Sequence, residues 1–490
     1  MRSRVANGDL PTPLPPVPVP SFWPRVRHYA VPPAMIETAT ARRHAGDWAG
    51  ACAAAGVDVD FTLRAVARRH GTDLAARLRA DLRHLAPDLL RWHLPRIAPD
   101  GLLRPGLTVA LARYDLPGRD RADAPRLVAR TPPAWADAGQ RIGLALWDGS
   151  RDDPLTRCHP HPHSSRRFRL DLHRHLWDAR RTDELRSRSG ADGAAGEARP
   201  QGVAAARSEW TTGASPSSPP SWADPRLLGR IPHGRRCAVE RWAEEAAVLL
   251  DADGPGTTTV AVRVGERRRL ALDLKGDAGP VLRQALPGEE LPLLPDAATY
   301  EPPDLELLRT GALTPEQLHP LVASALVPGR TPGTGPSGPL TAGQPRHVEC
   351  RGALHRIGLV DGVLSPLDHD PAEIRREELL VALTGTPLPC LRAIDEAHRH
   401  PEWLSGVRER LDHGDLAGAL TVVEGLLGPD AVLRDGALRD ELETAAQRRI
   451  SYGLFRAGLP DAPSAHPDGR RARARRGPRR GPAFGTKSRT

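Results

Sequence analysis

The densest group of side chains that could do chemistry lies between positions 158 and 175. Two short runs contribute six candidate metal ligands: Cys158, His159, His161, His163, His173 and His175. Thiolate and imidazole are preferred ligands of Zn²⁺. If residues 168–172 form a strand, His173 and His175 stand two apart and project from one face. The spacing therefore supports a zinc site as one hypothesis, and it indicates no other cofactor.

The same segment has a simpler interpretation as an exposed loop. Alternating His and Pro over 159–163 favours a polyproline-like turn, in which side chains two residues apart diverge. The chain contains 19 histidines, so some clustering is expected without any function. In this interpretation the histidines bind no metal and the protein has no cofactor.

Other catalytic motifs occur only in contexts that exclude their usual chemistry. Residues 395–398 spell the Asp-Glu-Ala-His box of helicases, but the sequence has no phosphate-binding G-x-x-x-x-G-K-[ST] loop. Residues 333–338 match G-x-G-x-x-G inside a Pro-rich stretch with no strand before it and no helix after it. G-x-S-x-G and H-E-x-x-H are both absent. We therefore assign no catalytic residue, and an enzyme is not the favoured class.

The basicity of the chain belongs to its C-terminal end. The net charge is +9, and the 25 residues from His466 carry all but one of these charges. The arginines of this run could neutralise phosphates in a non-specific, salt-dependent way: Arg470, Arg471, Arg473, Arg475, Arg476, Arg479 and Arg480. Phe484 is the one aromatic residue near them, so base stacking is not indicated. Weak nucleic-acid binding is one hypothesis, and a merely tolerated tail is the other.

Cysteine spacing and hydropathy indicate in which cellular compartment the protein is expected. Five scattered cysteines with no C-x-x-C pair do not form a disulfide framework, which fits a reducing cytoplasm. No apolar run approaches the ~18–20 residues that span a bilayer, so no membrane partner is expected. The sequence predicts a cytoplasmic protein.

Hydrophobic periodicity predicts an α+β protein with helical N- and C-terminal regions around a middle that contains antiparallel sheet. Leucines spaced three and four apart over 74–89 indicate an amphipathic helix. Alternation at 142–146 and 168–172 indicates strands, and 260–264 with 270–274 indicates a hairpin that turns at Gly265. Asp370 is expected to cap a helix that begins at Pro371.

Composition divides the chain into folded parts and linkers. The predicted organisation comprises a disordered Pro-rich arm at 1–34, a helical then β-rich domain at 35–183, a linker at 184–223, an α/β region at 224–327, a linker at 328–346, a helical C-terminal domain at 347–459, and a disordered Arg-rich tail at 460–490. The only methionines are Met1 and Met35. Translation from Met35, with 1–34 never made, is therefore an alternative to a real arm.

One short pattern occurs twice. Residues 46–51 and 414–419 share Gly-Asp-x-Ala-Gly-Ala, which matches the entry into the second helix of a helical hairpin. The full 34-residue pattern of tetratricopeptide repeats is missing. Either the two segments are protein-binding hairpins, or they share only common helix-capping residues.

Several segments resemble proteins of an actinobacterial family without an assigned activity. They are HAGDWAGACAAA at 44–55, DLRHLAPDLLRWHLPRIAPDG at 81–101, LHRHLWDARR at 172–181, and HRIGLVDGVLSPLDHDPAEIRREELLVAL at 355–383. The Arg-, Ala-, Gly- and Pro-rich composition agrees with a GC-rich genome. The resemblance covers 35–458 apart from the linkers, and it implies no activity, cofactor or site residue.

These observations favour a non-enzymatic interaction or adaptor protein with an unidentified protein partner. A zinc enzyme built on residues 158–175 and a nucleic-acid binder acting through the tail are the alternatives.

Overall fold

The fold comes from a computed structural model. It describes residues 21–118, 120–137, 139–149, 159–191, 220–231, 235–254, 256–265, 268–275, 279–328, 346–350, 352–360, 363–366, 368–370, 372–376, 379, 389–391, 404–427 and 436–459. The α+β class is confirmed, with a helical N-terminal part, antiparallel sheets in the middle and helices at the C-terminal end. None of the helices in these ranges is both long and apolar enough to cross a bilayer.

Short helices form the first layer of the N-terminal part. They are α1 (Trp23–Arg25), α2 (Pro33–His44), α3 (Trp48–Ala54), α4 (Leu63–His70), α5 (Thr72–His84) and α6 (Pro87–His93), and a π-helical turn, Val26–Ala30, follows α1. Leu74, Leu78 and Leu82 are all buried on one face of α5, as the leucine spacing predicts. Pro87 begins α6 at a position where its missing N–H removes no hydrogen bond.

A four-stranded sheet packs against these helices. The strands of the N-terminal part are β1 (Val57–Val59), β2 (Arg96–Ile97), β3 (Leu102–Leu103), β4 (Thr108–Arg113), β5 (Arg126–Arg130) and β6 (Ile142–Trp147). The sheet has the order β1-β6-β5-β4, and only the β1–β6 pair is parallel. Strands β2 and β3 make a separate small hairpin.

The strand predicted at residues 168–172 does not form. Arg169 makes a single bridge to Ala110 at the edge of β4, and the chain then enters a 3₁₀ turn, Arg174–Leu176. The Leu170 carbonyl accepts a hydrogen bond from the buried Trp177 indole, at 3.0 Å, instead of pairing with a strand. The alternating pattern here reflects an irregular segment with one face buried.

A second hydrophobic core lies around a three-stranded antiparallel sheet. Its region contains α7 (Glu184–Arg188), α8 (Pro225–Leu228), α9 (Trp242–Asp253), β7 (Thr259–Val264), β8 (Arg268–Asp273), β9 (Val281–Gln284), α10 (Asp296–Thr299), α11 (Pro303–Arg309) and α12 (Pro320–Leu326). Val260 lies opposite Leu272 and Val262 opposite Leu270, which confirms the predicted hairpin. Helices α11 and α12 return to the first core, where Leu307 and Val322 are buried.

The C-terminal region begins with a sheet, which corrects the prediction of a helical domain at 347–459 for its first twenty residues. Strands β10 (Arg346–Cys350), β11 (Ala353–Val360) and β12 (Val363–Pro366) form an antiparallel meander, and helices α13 (Leu404–His413), α14 (Leu416–Leu427) and α15 (Ala437–Arg456) follow. Ile357, Leu359 and Val363 carry the period-two pattern that the prediction overlooked. The cap at Asp370 is confirmed, because its carboxylate accepts from the Ala372 N–H at 2.9 Å.

The repeated Gly-Asp-x-Ala-Gly-Ala segments adopt the same local structure. Asp47 accepts a hydrogen bond from the Gly50 N–H at 2.8 Å, and Asp415 accepts one from the Gly418 N–H at 2.9 Å. An arginine five residues earlier contacts each carboxylate, in the pairs Arg42–Asp47 and Arg410–Asp415. Both segments are therefore helical hairpins with equivalent turns, α2–α3 and α13–α14.

Residues 21–34 belong to the first core, which corrects the prediction of a disordered arm ending at 34. Trp23, Val26, Ala30 and Val31 are buried, and the Trp23 ring lies 5.1 Å from the Trp92 ring. The prediction missed a short helical segment with an apolar face at residues 23–30, because the surrounding sequence is rich in proline. A chain starting at Met35 would lack these contacts.

The fully buried guanidinium of Arg91 links three distant segments. Its Nε donates to the Ala30 carbonyl at 2.9 Å, its Nη1 to Gln140 at 2.6 Å, and its Nη2 to His413 at 2.8 Å. Only 2 % of the residue is exposed, and burial lowers the pKa of Arg91 to about 10. At neutral pH the side chain is still a cation, held by three carbonyl dipoles.

We predict that Arg91→Lys destabilises the fold. A lysine cannot reach three carbonyls in three directions, and each buried carbonyl left without a donor costs ~1–3 kcal/mol. Urea denaturation should show the free energy of unfolding reduced by about 3 kcal/mol. Arg83→Lys, at an exposed position of α5, is the matched control. Equal stability of the two variants would contradict the linking role.

We also predict that residues 21–34 are required for full stability. A chain starting at Met35 should unfold more easily than one starting at Ser21, by about 4 kcal/mol or more, because it loses a buried tryptophan. Thermal and urea unfolding of the two truncated chains, side by side, measure the difference. Indistinguishable stabilities would show that this segment contributes nothing to the core.

Candidate functional site

A cavity of about 430 Å³ lies between the two hydrophobic cores. Leu94, Leu170 and Leu176 of the first core form part of its lining. Ile231 and Tyr300 line it from the side of the second core, where the Tyr300 hydroxyl donates to the Arg263 carbonyl at 3.1 Å. The volume falls within the ~300–1,000 Å³ range of small-molecule sites.

Arginine is the dominant charged residue of this lining, so we name the space the arginine cavity. Its six arginines are Arg96, Arg104, Arg167, Arg169, Arg188 and Arg235. Two carboxylate residues accompany them, Asp296 and Glu301. Glu301 is already bound to Arg236 at 2.9 Å and to Arg309, neither of which lines the cavity. The lining as a whole is therefore strongly cationic.

Three of the six arginines are held by carboxylates. Arg167 binds Asp296 at 2.8 Å, and Arg188 binds Glu245 at 2.5 Å. Arg169 contacts two carboxylates, Asp171 at 2.8 Å and Asp253 at 2.6 Å. Each of these pairs joins segments far apart in sequence, apart from the local Arg169–Asp171 pair, so they fix the walls of the cavity.

The other three arginines have no carboxylate within ion-pair distance in the part of the chain that the structure describes. Arg96 donates to the Gly101 carbonyl at 2.8 Å and to the Arg91 carbonyl at 2.7 Å, while its buried Nε has no hydrogen-bond partner there. Burial lowers the pKa of Arg96. Arg104 is exposed, and Arg235 lies over the Tyr300 ring at 4.5 Å.

Two histidines complete the cavity lining, and a third lies behind them. His93 and His175 line the space, and the His173 ring stacks on His175 with centroids 5.8 Å apart. The His93 Nε2 is 3.3 Å from an Asp304 carboxylate oxygen. The buried Nδ1 of His175 has no hydrogen-bond partner among the described residues.

Burial keeps the inner histidines neutral. It lowers the pKa of His173 to about 3, against the opposing attraction of Glu245 at 3.7 Å. Burial and the neighbouring His173 also lower the pKa of His175. At neutral pH both rings are therefore uncharged, and the arginines supply the positive charge of the cavity.

The structure separates the histidines of the predicted zinc site. His159 is buried and its Nε2 lies 3.0 Å from the Thr131 carbonyl, whereas His161 and His163 are exposed. His173 and His175 lie together at the arginine cavity. In the described ranges, no group of three or more His, Cys, Asp or Glu residues is arranged to hold a metal ion. Cys158 lies outside those ranges, so the complete zinc hypothesis stays a prediction.

The predicted nucleic-acid residues also lie outside the described residues. They are Arg470, Arg471, Arg473, Arg475, Arg476, Arg479 and Arg480. The tail hypothesis is therefore neither supported nor opposed by the fold.

The unpaired arginines were missed by sequence reasoning because they come from separate segments. Arg96 and Arg104 flank the β2–β3 hairpin, and Arg235 lies more than 130 residues later. In an arginine-rich chain no local spacing distinguishes them. Comparison of the chain with protein-family models, with curated proteins and with solved structures finds no match.

We predict that His173 makes the protein acid-sensitive. In the unfolded chain its pKa returns to ~6.5, so below that pH the unfolded state binds a proton that the folded state excludes. Stability should be full above pH ~6.5 and fall towards pH 3, with up to about 2 kcal/mol lost by pH 5 from this residue.

Urea denaturation at pH 7 and pH 5 tests this expectation. His173→Gln should reduce the difference between the two pH values, whereas His84→Gln, at an exposed position, should not. The same loss of stability at pH 5 in both variants would contradict the assignment to His173.

Proposed function

We propose that this protein binds a small anionic molecule in the arginine cavity. One observation supports the proposal above the others. Three arginines line a cavity of ligand size and have no carboxylate partner in the described part of the chain. Buried His175, whose Nδ1 has no hydrogen-bond partner in the described ranges, belongs to the same lining.

Electrostatics favours an anion as the occupant. Clustered cations of one sign raise the local concentration of anions. The planar donor fork of arginine matches the two oxygens of a carboxylate or phosphate. Asp296, whose negative charge acts on Arg235, is already engaged by Arg167, and Arg235 has no ion-pair partner among the described residues.

The rest of the lining favours a ligand with an apolar portion. Phe22, Trp23, Phe168 and Tyr300 contribute aromatic rings, and leucines of the first core surround them. Burial of apolar ligand surface stabilises a complex by roughly 25 cal/mol per Å² before ordering costs. The expected ligand therefore combines an anionic group with a hydrocarbon or aromatic part.

This function keeps the non-enzymatic class favoured by the sequence and replaces the unspecified protein partner with a small molecule. The adaptor, zinc-enzyme and nucleic-acid hypotheses remain separate predictions. They depend on surfaces or residues other than the arginine cavity.

The test uses the fluorescent anion 8-anilinonaphthalene-1-sulfonate, which combines a sulfonate with aromatic rings. We expect saturable binding to the full chain that weakens with increasing salt. The double variant Arg104→Gln/Arg235→Gln should bind at least tenfold more weakly. Neither side chain has an ion pair in the described residues, so the fold should be retained.

Arg83→Gln/Arg230→Gln is the matched control, because it removes the same charge from exposed positions outside the cavity. It should bind the probe like the unaltered protein. Equal binding by both double variants would place the probe elsewhere and contradict the proposal.

A further inference from the structure

We infer that the ligand of the arginine cavity carries two anionic groups separated by an apolar spacer. This inference rests on the proposed function and specifies the class of ligand. It follows from the number of unpaired cations and from the segments that hold them.

The charge of the lining favours a ligand with more than one negative charge. Three lining arginines are paired with carboxylates, whereas Arg96, Arg104 and Arg235 have no carboxylate partner among the described residues. Burial lowers the pKa of the lining histidine His175, so this ring adds no positive charge at neutral pH. Two anionic groups can pair with guanidinium groups on both walls, whereas a monoanion can pair with those of one wall only.

Two of the unpaired cations belong to one wall. Arg96 lies opposite Leu103 in the β2–β3 hairpin, and the Arg104 N–H donates to the Pro95 carbonyl at 2.8 Å. The two arginines therefore flank the same small hairpin, attached to the first core through Leu103. An anionic group at this wall can receive donors from both side chains.

The third unpaired cation belongs to the other wall. Arg235 lies over the Tyr300 ring, and the Tyr300 hydroxyl is bonded to the backbone of Arg263 and Gly265 at the end of β7. Val260, Val262 and Val264 of β7 are buried in the second core. The second anionic group is therefore expected at Arg235, across the cavity from the hairpin.

Apart from its two charged walls, the cavity is lined largely by apolar side chains. Leu94, Leu170 and Leu176 line the cavity, and their side chains offer no hydrogen-bonding group to a polar spacer. A dicarboxylate with a hydrocarbon chain fits this description. A phosphate monoester also carries two charges but places both on one group, so the experiment must separate the two.

Isothermal titration calorimetry on the full chain compares diacids with monoacids of the same length. The pairs are glutarate with pentanoate, adipate with hexanoate, and suberate with octanoate. We expect at least one diacid to bind tenfold or more tightly than its monoacid. Arg235→Gln should abolish this advantage and leave the monoacid affinity within about twofold, since the monoacid is held at Arg96 and Arg104. Arg230→Gln should retain the full advantage.

Three results would overturn the inference. Equal affinity for each diacid and monoacid would remove the second anionic site while the proposed anion binding stands. Phenyl phosphate binding more tightly than every diacid would place both charges on one group. Failure of all these anions and of the sulfonate probe to bind would reject the inference together with the proposed function.

Discussion

The fold depends on one buried cation, the guanidinium of Arg91. It donates to backbone carbonyls of the N-terminal turn, the loop before β6 and the end of α13, so three segments, the farthest of them 322 residues from Arg91, meet at one side chain. Removal of a guanidinium from water is costly, and carbonyl dipoles in three directions compensate it without a carboxylate. The packing around this point is close: a Cβ at Gly414 would overlap the Gly139 carbonyl, and Gly414 has a φ of 85° that favours glycine.

The position of one wall of the arginine cavity depends on Arg91. The Arg91 carbonyl accepts from Arg96, which ties the β2–β3 hairpin to α6 and places Arg96 in the cavity lining. On the other side, the pairs of Arg167 with Asp296 and of Arg188 with Glu245 join the irregular segment and α7 to the second core. The protein thus uses some arginines to hold the walls, and this leaves others available to a ligand.

Burial changes the charge of the inner histidines but not that of the arginines. Desolvation lowers the pKa of His173 to about 3, so the imidazole gives up its proton and stays neutral in the folded protein. Arginine keeps its charge even where burial lowers its pKa, as at Arg91. The cavity therefore holds a permanent positive charge at neutral pH, together with a neutral imidazole whose Nδ1 has no partner in the described ranges.

The sequence by itself determined the α+β class, the leucine face of α5, the β7–β8 hairpin and the capped turns at Asp47 and Asp415. All of these are encoded by neighbours within a few residues, through periodicity or capping. It misassigned 21–34, 168–172 and the start of the predicted linker at 184–191, where contacts with distant elements decided the conformation. It also misassigned 346–366, which forms a local antiparallel meander. The arginine cavity was decided only by the tertiary structure. In a chain with 69 basic residues, whether an arginine is paired depends on which carboxylates folding brings beside it, and that is a property of distant contacts rather than local spacing.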